Sequence, residues 1–146
     1  MQEFYNASRD QGDEFVLSTI CINALQYIRE YFNEPITITS TRRSKSYNAK
    51  IGGSTRSQHI TGNAIDWQFT NNRDLNHEKF YKEIIAGGVF LDSIIGMGIL
   101  GIGIYKDSDV SRIFVHIDDG QGSYNKRKKL TAWDGRKNLS WGVVRS

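Results

Sequence analysis

The sequence predicts an α+β fold in which helices flank a small antiparallel sheet. Two observations predict it. Helical and strand-like periodicities follow one another in the order helix, strand, strand, helix, strand, strand. No internal repeat and no second apolar cluster interrupts that order, so one domain over residues 1–146 is expected. A chain of 146 residues can bury roughly two-thirds of its unfolded surface. Its 38% hydrophobic and 24% charged residues exclude a disordered or collagen-like chain.

Residues 13–32 read as the first helix. Leu17, Cys21, Ala24 and Ile28 recur at three- and four-residue spacing, Asp13 is the expected N-cap, and the pattern stops before Asn33-Glu34-Pro35. Ile36 to Ser40 is a short β-branched strand, and Thr41 to Ser57 a long polar loop of the kind that carries function. The second strand, about Asn63 to Phe69, alternates: Ile65, Trp67 and Phe69 share one face, Ala64, Asp66 and Gln68 the other. Asn76 to Ala86 has helical spacing and ends at Gly87-Gly88, and a further short helix covers Phe90 to Ile95. Residues 96–105 alternate glycine with aliphatics, which reads as a loop entering a strand that something approaches closely. A turn over Lys106 to Ser111 leads to the last clear strand, Arg112 to Asp118, and then to a tail with Trp133 and Trp141 as packing residues.

Charge is unevenly placed. Residues 1–125 carry 12 basic and 15 acidic side chains, whereas residues 126–146 carry 7 basic and 1 acidic. The net charges are therefore −3 and +6, and the overall +3 conceals a basic C-terminal segment. Its run Lys126-Arg127-Lys128-Lys129 reads as a solvated turn that could hold the protein near polyanions by screened attraction. No nucleic-acid recognition motif accompanies it, which argues against nucleic acid as a partner. No stretch approaches the ~20 apolar residues of a membrane span, and Met1 to Asp10 lacks the pattern of a secretory signal. Cys21 is the single cysteine, so no intramolecular disulfide or Cys-rich zinc knuckle can form, and its apolar setting predicts a buried, inert thiol. The glycines at 96–103 lack the following Gly-Lys-Ser/Thr of a phosphate loop.

Of three histidines, two stand near carboxylates in structured places. His59 precedes a turn at Gly62 and then Asp66 on the second strand; His116 lies on the last strand. If those strands neighbour each other, two imidazoles and one carboxylate meet, a donor set that suits one zinc ion with a position left for water. Residues two apart on a strand share a face, so Asp118 should point with His116, and it is the candidate general base or, alternatively, a group that orients His116. His77, beside Asn76 and Glu78 at a helix start, reads as solvated.

The string Ser57-Gln58-His59-Ile60-Thr61-Gly62-Asn63-Ala64-Ile65-Asp66 resembles the Ser-x-His-x-x-Gly-x-Ala-x-Asp signature of the zinc D-Ala-D-Ala carboxypeptidase and L-Ala-D-Glu endopeptidase family, whose relatives include phage endolysins and Hedgehog-type domains. Ser40-Thr41-Arg42-Arg43-Ser44 is similar to the family's Ser-Gly-Tyr-Arg-Ser, and Gly101-Ile102-Gly103-Ile104-Tyr105 precedes Phe114-Val115-His116-Ile117-Asp118 in the family order, so the likeness spans about residues 36–118. The resemblance implies a Hedgehog/D-Ala-D-Ala-peptidase-like fold, zinc held by His59, Asp66 and His116, and hydrolysis of peptidoglycan stem peptides. It further implies that Arg43 clamps a substrate carboxylate or polarises the scissile carbonyl, and that Ser57 and Tyr105 contact substrate. Many relatives place a Glu three residues before the second His, or a His two before it, where this chain has Ile113 and Phe114; others share its His-x-Asp. A catalytically degenerate wall-binding or virion structural protein that retains zinc is the alternative. The expected setting is a phage lysin, made in the host cytoplasm and released at lysis or carried on a virion.

Overall fold

The first helix, α1 (Thr19–Phe32), begins where a side chain can receive its free amides: Ser18 Oγ accepts from the Cys21 N–H at 3.1 Å. It ends at Asn33, whose left-handed backbone (φ 51°) closes the last turn. The structure, a computed structural model, describes residues 18–41, 50, 59, 62–122, 126–135 and 137–138. The expected N-cap Asp13 lies outside these residues, as does Leu17. The rest of the predicted stripe holds, with Cys21, Ala24 and Ile28 fully buried together with Leu25.

Strands β1 (Ile36–Ser40) and β2 (Ala64–Phe69) follow, then helices α2 (Arg73–Ala86) and α3 (Val89–Gly96), β3 (Gly101–Tyr105) and β4 (Phe114–Asp118). β4 starts two residues later than expected. Asp109 accepts from the Ser111 N–H at 3.0 Å and winds Val110–Arg112 into a 3-10 turn. Two short strands that the sequence reading left in the tail complete the sheet, β5 (Thr131–Asp134) and β6 (Lys137–Asn138).

The sheet order is β1-β2-β4-β3-β5-β6. The α+β class is as predicted, and β1, β2, β4 and β3 pair antiparallel. The expected all-antiparallel sheet needs one correction, because β5 runs parallel to β3. With β4 already seated between β2 and β3, the chain must pass over β3 to reach the next free edge, and it arrives there parallel to β3.

The alternation predicted for β2 sorts the two faces. Ile65, Trp67 and Phe69 join Ile38, Ile102, Ile104, Val115 and Ile117 in the core, closed by Phe80 and Ile84 of α2 and by Phe90, Leu91 and Ile94 of α3. Burying each such side chain contributes about 1.5–3 kcal/mol. His77 belongs to this side and corrects its solvated reading. α2 starts at Arg73, so residues 77, 80 and 84 face inward together. His77 is 2% exposed, its Nε2 accepts the Phe69 N–H at 3.0 Å, and its ring lies 5.7 Å from that of Trp67. Burial, with Arg73 nearby, pushes its pKa down to about 4.

Candidate metal centre

Across the other face, one row of the register reads Ser40, Asp66, His116, Gly103, Trp133 from strand to strand. Residues in one row of a sheet share a face. Asp66 and His116 are therefore direct cross-strand partners, the neighbour relation that the sequence could state only as a condition. Gly103 and Gly101 explain the alternating glycines. A Cβ on Gly103 would stand 2.5 Å from the Trp133 indole, and one on Gly101 would run into the Asp118 carboxylate. The close approaches are made by the chain's own side chains.

His59 enters from the turn before β2, where Gly62 takes φ 76° and its N–H donates to the His59 carbonyl at 3.2 Å. His59 Nδ1 is 2.7 Å from the Thr41 carbonyl oxygen, which can only accept, so Nδ1 carries hydrogen and Nε2 faces Asp66 Oδ1 at 3.0 Å. His116 is arranged the opposite way: Nε2 donates to Asp118 Oδ2 at 2.8 Å, and Nδ1 faces the same Asp66 oxygen at 3.0 Å. The rings meet edge to face, 5.2 Å apart.

In this arrangement the outer nitrogen of each imidazole is held by an acceptor and the inner nitrogen points at Asp66. Something positive has to sit between them. On His116 a proton takes that role when no metal is bound. Burial alone would depress His116, but its hydrogen bonds to Asp118 and Asp66 outweigh burial and raise its pKa to about 9. Burial would likewise raise Asp66, and the two imidazoles overcome it and hold the carboxyl far below the usual range.

A divalent ion fits the same place. One atom from each of His59, Asp66 and His116 lies within 4.8 Å of the others. Tetrahedral zinc with bonds of about 2.0–2.1 Å spaces its donors about 3.3 Å apart, so a small adjustment of the 3.0 Å contacts admits it. Two neutral imidazoles with one carboxylate are a zinc donor set, and both rings already have the outer partners that orient metal-bound histidines.

Asp118 is fully buried and its two oxygens are occupied. Oδ1 accepts from the Gly120 N–H and Arg127 Nε, each at 3.0 Å; Oδ2 accepts from Arg127 Nη2 at 3.1 Å and from His116. Burial would raise this carboxyl too, yet the His116 and Arg127 contacts hold it low. Tyr105 is half-buried on the same face; its hydroxyl accepts from Trp133 Nε1 at 2.8 Å and its ring stacks on Phe114 at 4.4 Å. Trp133 in turn stands 5.4 Å from the His116 ring. Arg43 and Ser57 lie outside the described residues, as does Trp141.

Two parts of the site are not legible in the sequence: Arg127, because it stands in a basic run that reads as surface charge, and the Thr41 carbonyl, because a backbone acceptor has no residue type. Of the run, Lys126, Lys128 and Lys129 are exposed as expected, while Arg127 turns inward. Cys21 is a buried free thiol that burial pushes well above its ordinary pKa, matching the inert reading.

An α+β sheet presents two histidines and an aspartate at one point, each imidazole held from behind, a donor set that could hold a metal ion. A family model for peptidase M15 matches residues 4–94, and the chain belongs to that family, the zinc D-Ala-D-Ala carboxypeptidase-like peptidases that its motif resembles. The match includes His59 and Asp66; His116 lies beyond it and is joined to them by the β2–β4 register. No curated protein matches the chain. Among the described residues, no helix is long and apolar enough to cross a membrane.

Proposed function

We propose that the protein is a zinc-dependent peptidase that hydrolyses a peptide bond in bacterial peptidoglycan, as a DD-carboxypeptidase or an endopeptidase acting on stem peptides. The observation that carries this reading is the convergence of His59, Asp66 and His116 donor atoms within 4.8 Å, in a chain of the peptidase M15 family. One zinc ion on three protein donors would supply a Lewis acid and an open position where bound water ionises near a pKa of about 7. The chain's residues do the rest. Thr41 and Asp118 keep the two lone pairs aimed inward. Arg43, with its planar fork, is assigned to the substrate carboxylate or the scissile carbonyl, and Ser57 to a hydrogen bond beside them. Tyr105, with Phe114 and Trp133, forms an aromatic wall at the His116 edge against which substrate would pack.

Asp118 changes role. A general base needs a free lone pair within reach of the water's proton, and both Asp118 oxygens face Arg127, Gly120 and His116 inside the protein. We assign it to holding His116 rather than to proton transfer.

One observation favours a second reading, a catalytically degenerate protein that keeps zinc and binds wall. Ile113, three residues before His116, is an apolar buried side chain where many relatives carry a Glu. The motif's likeness to phage endolysins extends the first reading to a lysin released at lysis or carried on a virion, with the exposed lysines among 126–129 near anionic wall polymers. Mass spectrometry of purified peptidoglycan incubated with zinc-loaded protein, with and without chelator, tests both. New peptide termini that disappear with chelator are expected; cleavage by metal-free protein would overturn the zinc mechanism, and intact peptidoglycan would favour the degenerate reading.

A further inference from the structure

We propose that Arg127 is a positioning residue of the metal centre, acting through Asp118 on His116 so that the His116 Nδ1 lone pair stays directed at the ion. The proposal rests on the reading of His59, Asp66 and His116 as zinc ligands and extends it to a segment outside the motif. Three contacts tie the Arg127 guanidinium to Asp118: Nε to Oδ1 at 3.0 Å, Nε to Oδ2 at 3.2 Å, and Nη2 to Oδ2 at 3.1 Å. A two-pronged clamp of this kind fixes the plane of a carboxylate, which one point charge cannot do.

The clamp is itself fixed. The Arg127 N–H donates to the Gly120 carbonyl at 2.8 Å, while the Gly120 N–H donates back to Asp118 Oδ1 at 3.0 Å. Gly120 has φ +68°, and a Cβ there would press within 2.9 Å of Arg127 Cβ, so the loop closes this tightly on a glycine. The guanidinium carbon lies 5.2 Å from the centre of the Trp133 ring, which borders His116 from β5.

The need for the clamp follows from burial. A fully enclosed carboxylate is expensive unless it is paired and hydrogen-bonded. Arg127 is the cation among the described residues that touches Asp118 besides His116. With Arg127 removed, the Asp118 carboxylate loses its fixed plane, and the acceptor that decides which His116 nitrogen faces the ion is no longer held in place. The metal face of β4 is thus braced from the chain that follows it.

The test is zinc affinity of the intact protein, measured by competition with a chromophoric chelator, together with the visible absorption of the cobalt(II)-substituted protein. Arg127→Gln should weaken zinc binding by about 10–100-fold and alter the cobalt spectrum. Arg127→Lys, which keeps charge without the fork, should recover part of the affinity. Asp118→Asn should lower affinity comparably, and adding Arg127→Gln to it should cost less than about twofold more, as expected when two residues act as one unit. A folded Arg127→Gln protein with unchanged zinc affinity and cobalt spectrum would overturn the proposal, leaving Arg127 as an anchor of its own segment. If Arg127→Gln does not fold, wild-type affinity in Arg127→Lys overturns it equally. Failure of the wild-type protein to bind zinc would instead overturn the ligand reading, and is distinguishable for that reason.

Discussion

The helix-covered face of the sheet buries His77 and the opposite face holds the half-buried His116, and these two histidines are driven in opposite directions. His77, on the helix-covered face, accepts a backbone N–H beside Trp67, and burial with Arg73 nearby lowers its pKa to about 4. His116, on the opposite face, lies between two carboxylates and rises to about 9. Desolvation pushes both downward. What differs is the partner: a donor on His77 favours the neutral ring, and acceptors on both nitrogens of His116 demand a positive charge, from a proton or a metal. A buried histidine is therefore no indication of a metal site until its partners are known.

The contrast is most exposed to loss of a proposed ligand. His59→Ala or Asp66→Ala should abolish zinc binding, a loss well beyond the roughly 10–100-fold of an orienting partner, whereas His77→Ala should leave zinc stoichiometry unchanged; metal analysis of the purified variants decides. Loss of zinc in His77→Ala would show that the two faces are not independent.

Acid stability should separate the faces next. The His77 pKa is depressed from 6.5 to about 4, so the unfolded chain binds the extra proton first and stability falls as pH drops through that window, by up to about 3 kcal/mol. Chemical denaturation of wild type and His77→Gln between pH 7 and about pH 4 should show a shallower decline in the variant. For His116 the sign reverses. Its raised value contributes stability to the metal-free protein below pH 6.5 that is lost as pH rises through about 9.

Zinc binding follows from the same proton. Below about pH 9 the ion has to displace it, so affinity should fall by up to tenfold per pH unit on acidification, read by chelator competition between pH 8 and about pH 6 with proton release in weakly buffered solution. Affinity independent of pH would mean that His116 is neutral before the metal arrives. The smallest effect is expected at the exposed lysines: replacing Lys126, Lys128 and Lys129 with Gln should weaken sedimentation with cell walls at low salt by a few-fold and leave zinc affinity unaltered.

Much of this molecule is legible locally. The β2 alternation alone places Asp66 opposite the apolar stripe of Ile65, Trp67 and Phe69, and the spacing of His59, Gly62 and Asp66 foretells a turn that returns an imidazole to the strand. The helical stripe Cys21, Ala24 and Ile28 likewise reads from periodicity. His77 misled because a polar helix start resembles a solvated one, and one additional turn at Arg73 was enough to rotate it into the core. β5 and β6 were hidden because four- and two-residue strands carry too little alternation to stand out in a basic segment.

The donor types, their spacing within the His59–Asp66 segment, the faces of β2 and β4 and the likeness to the peptidase M15 family are all carried by the residue pattern. Such features are set by neighbours a few residues away, through backbone period and turn chemistry. The adjacency of β2 and β4, the turning of His116 Nδ1 rather than Nε2 toward Asp66, and the departure of Arg127 from its basic run to clamp Asp118 come only from the folded sheet. Those outcomes depend on which strand takes which edge and on what a buried carboxylate can find to neutralise it, and residues nine or fifty apart in sequence meet only once the sheet has closed.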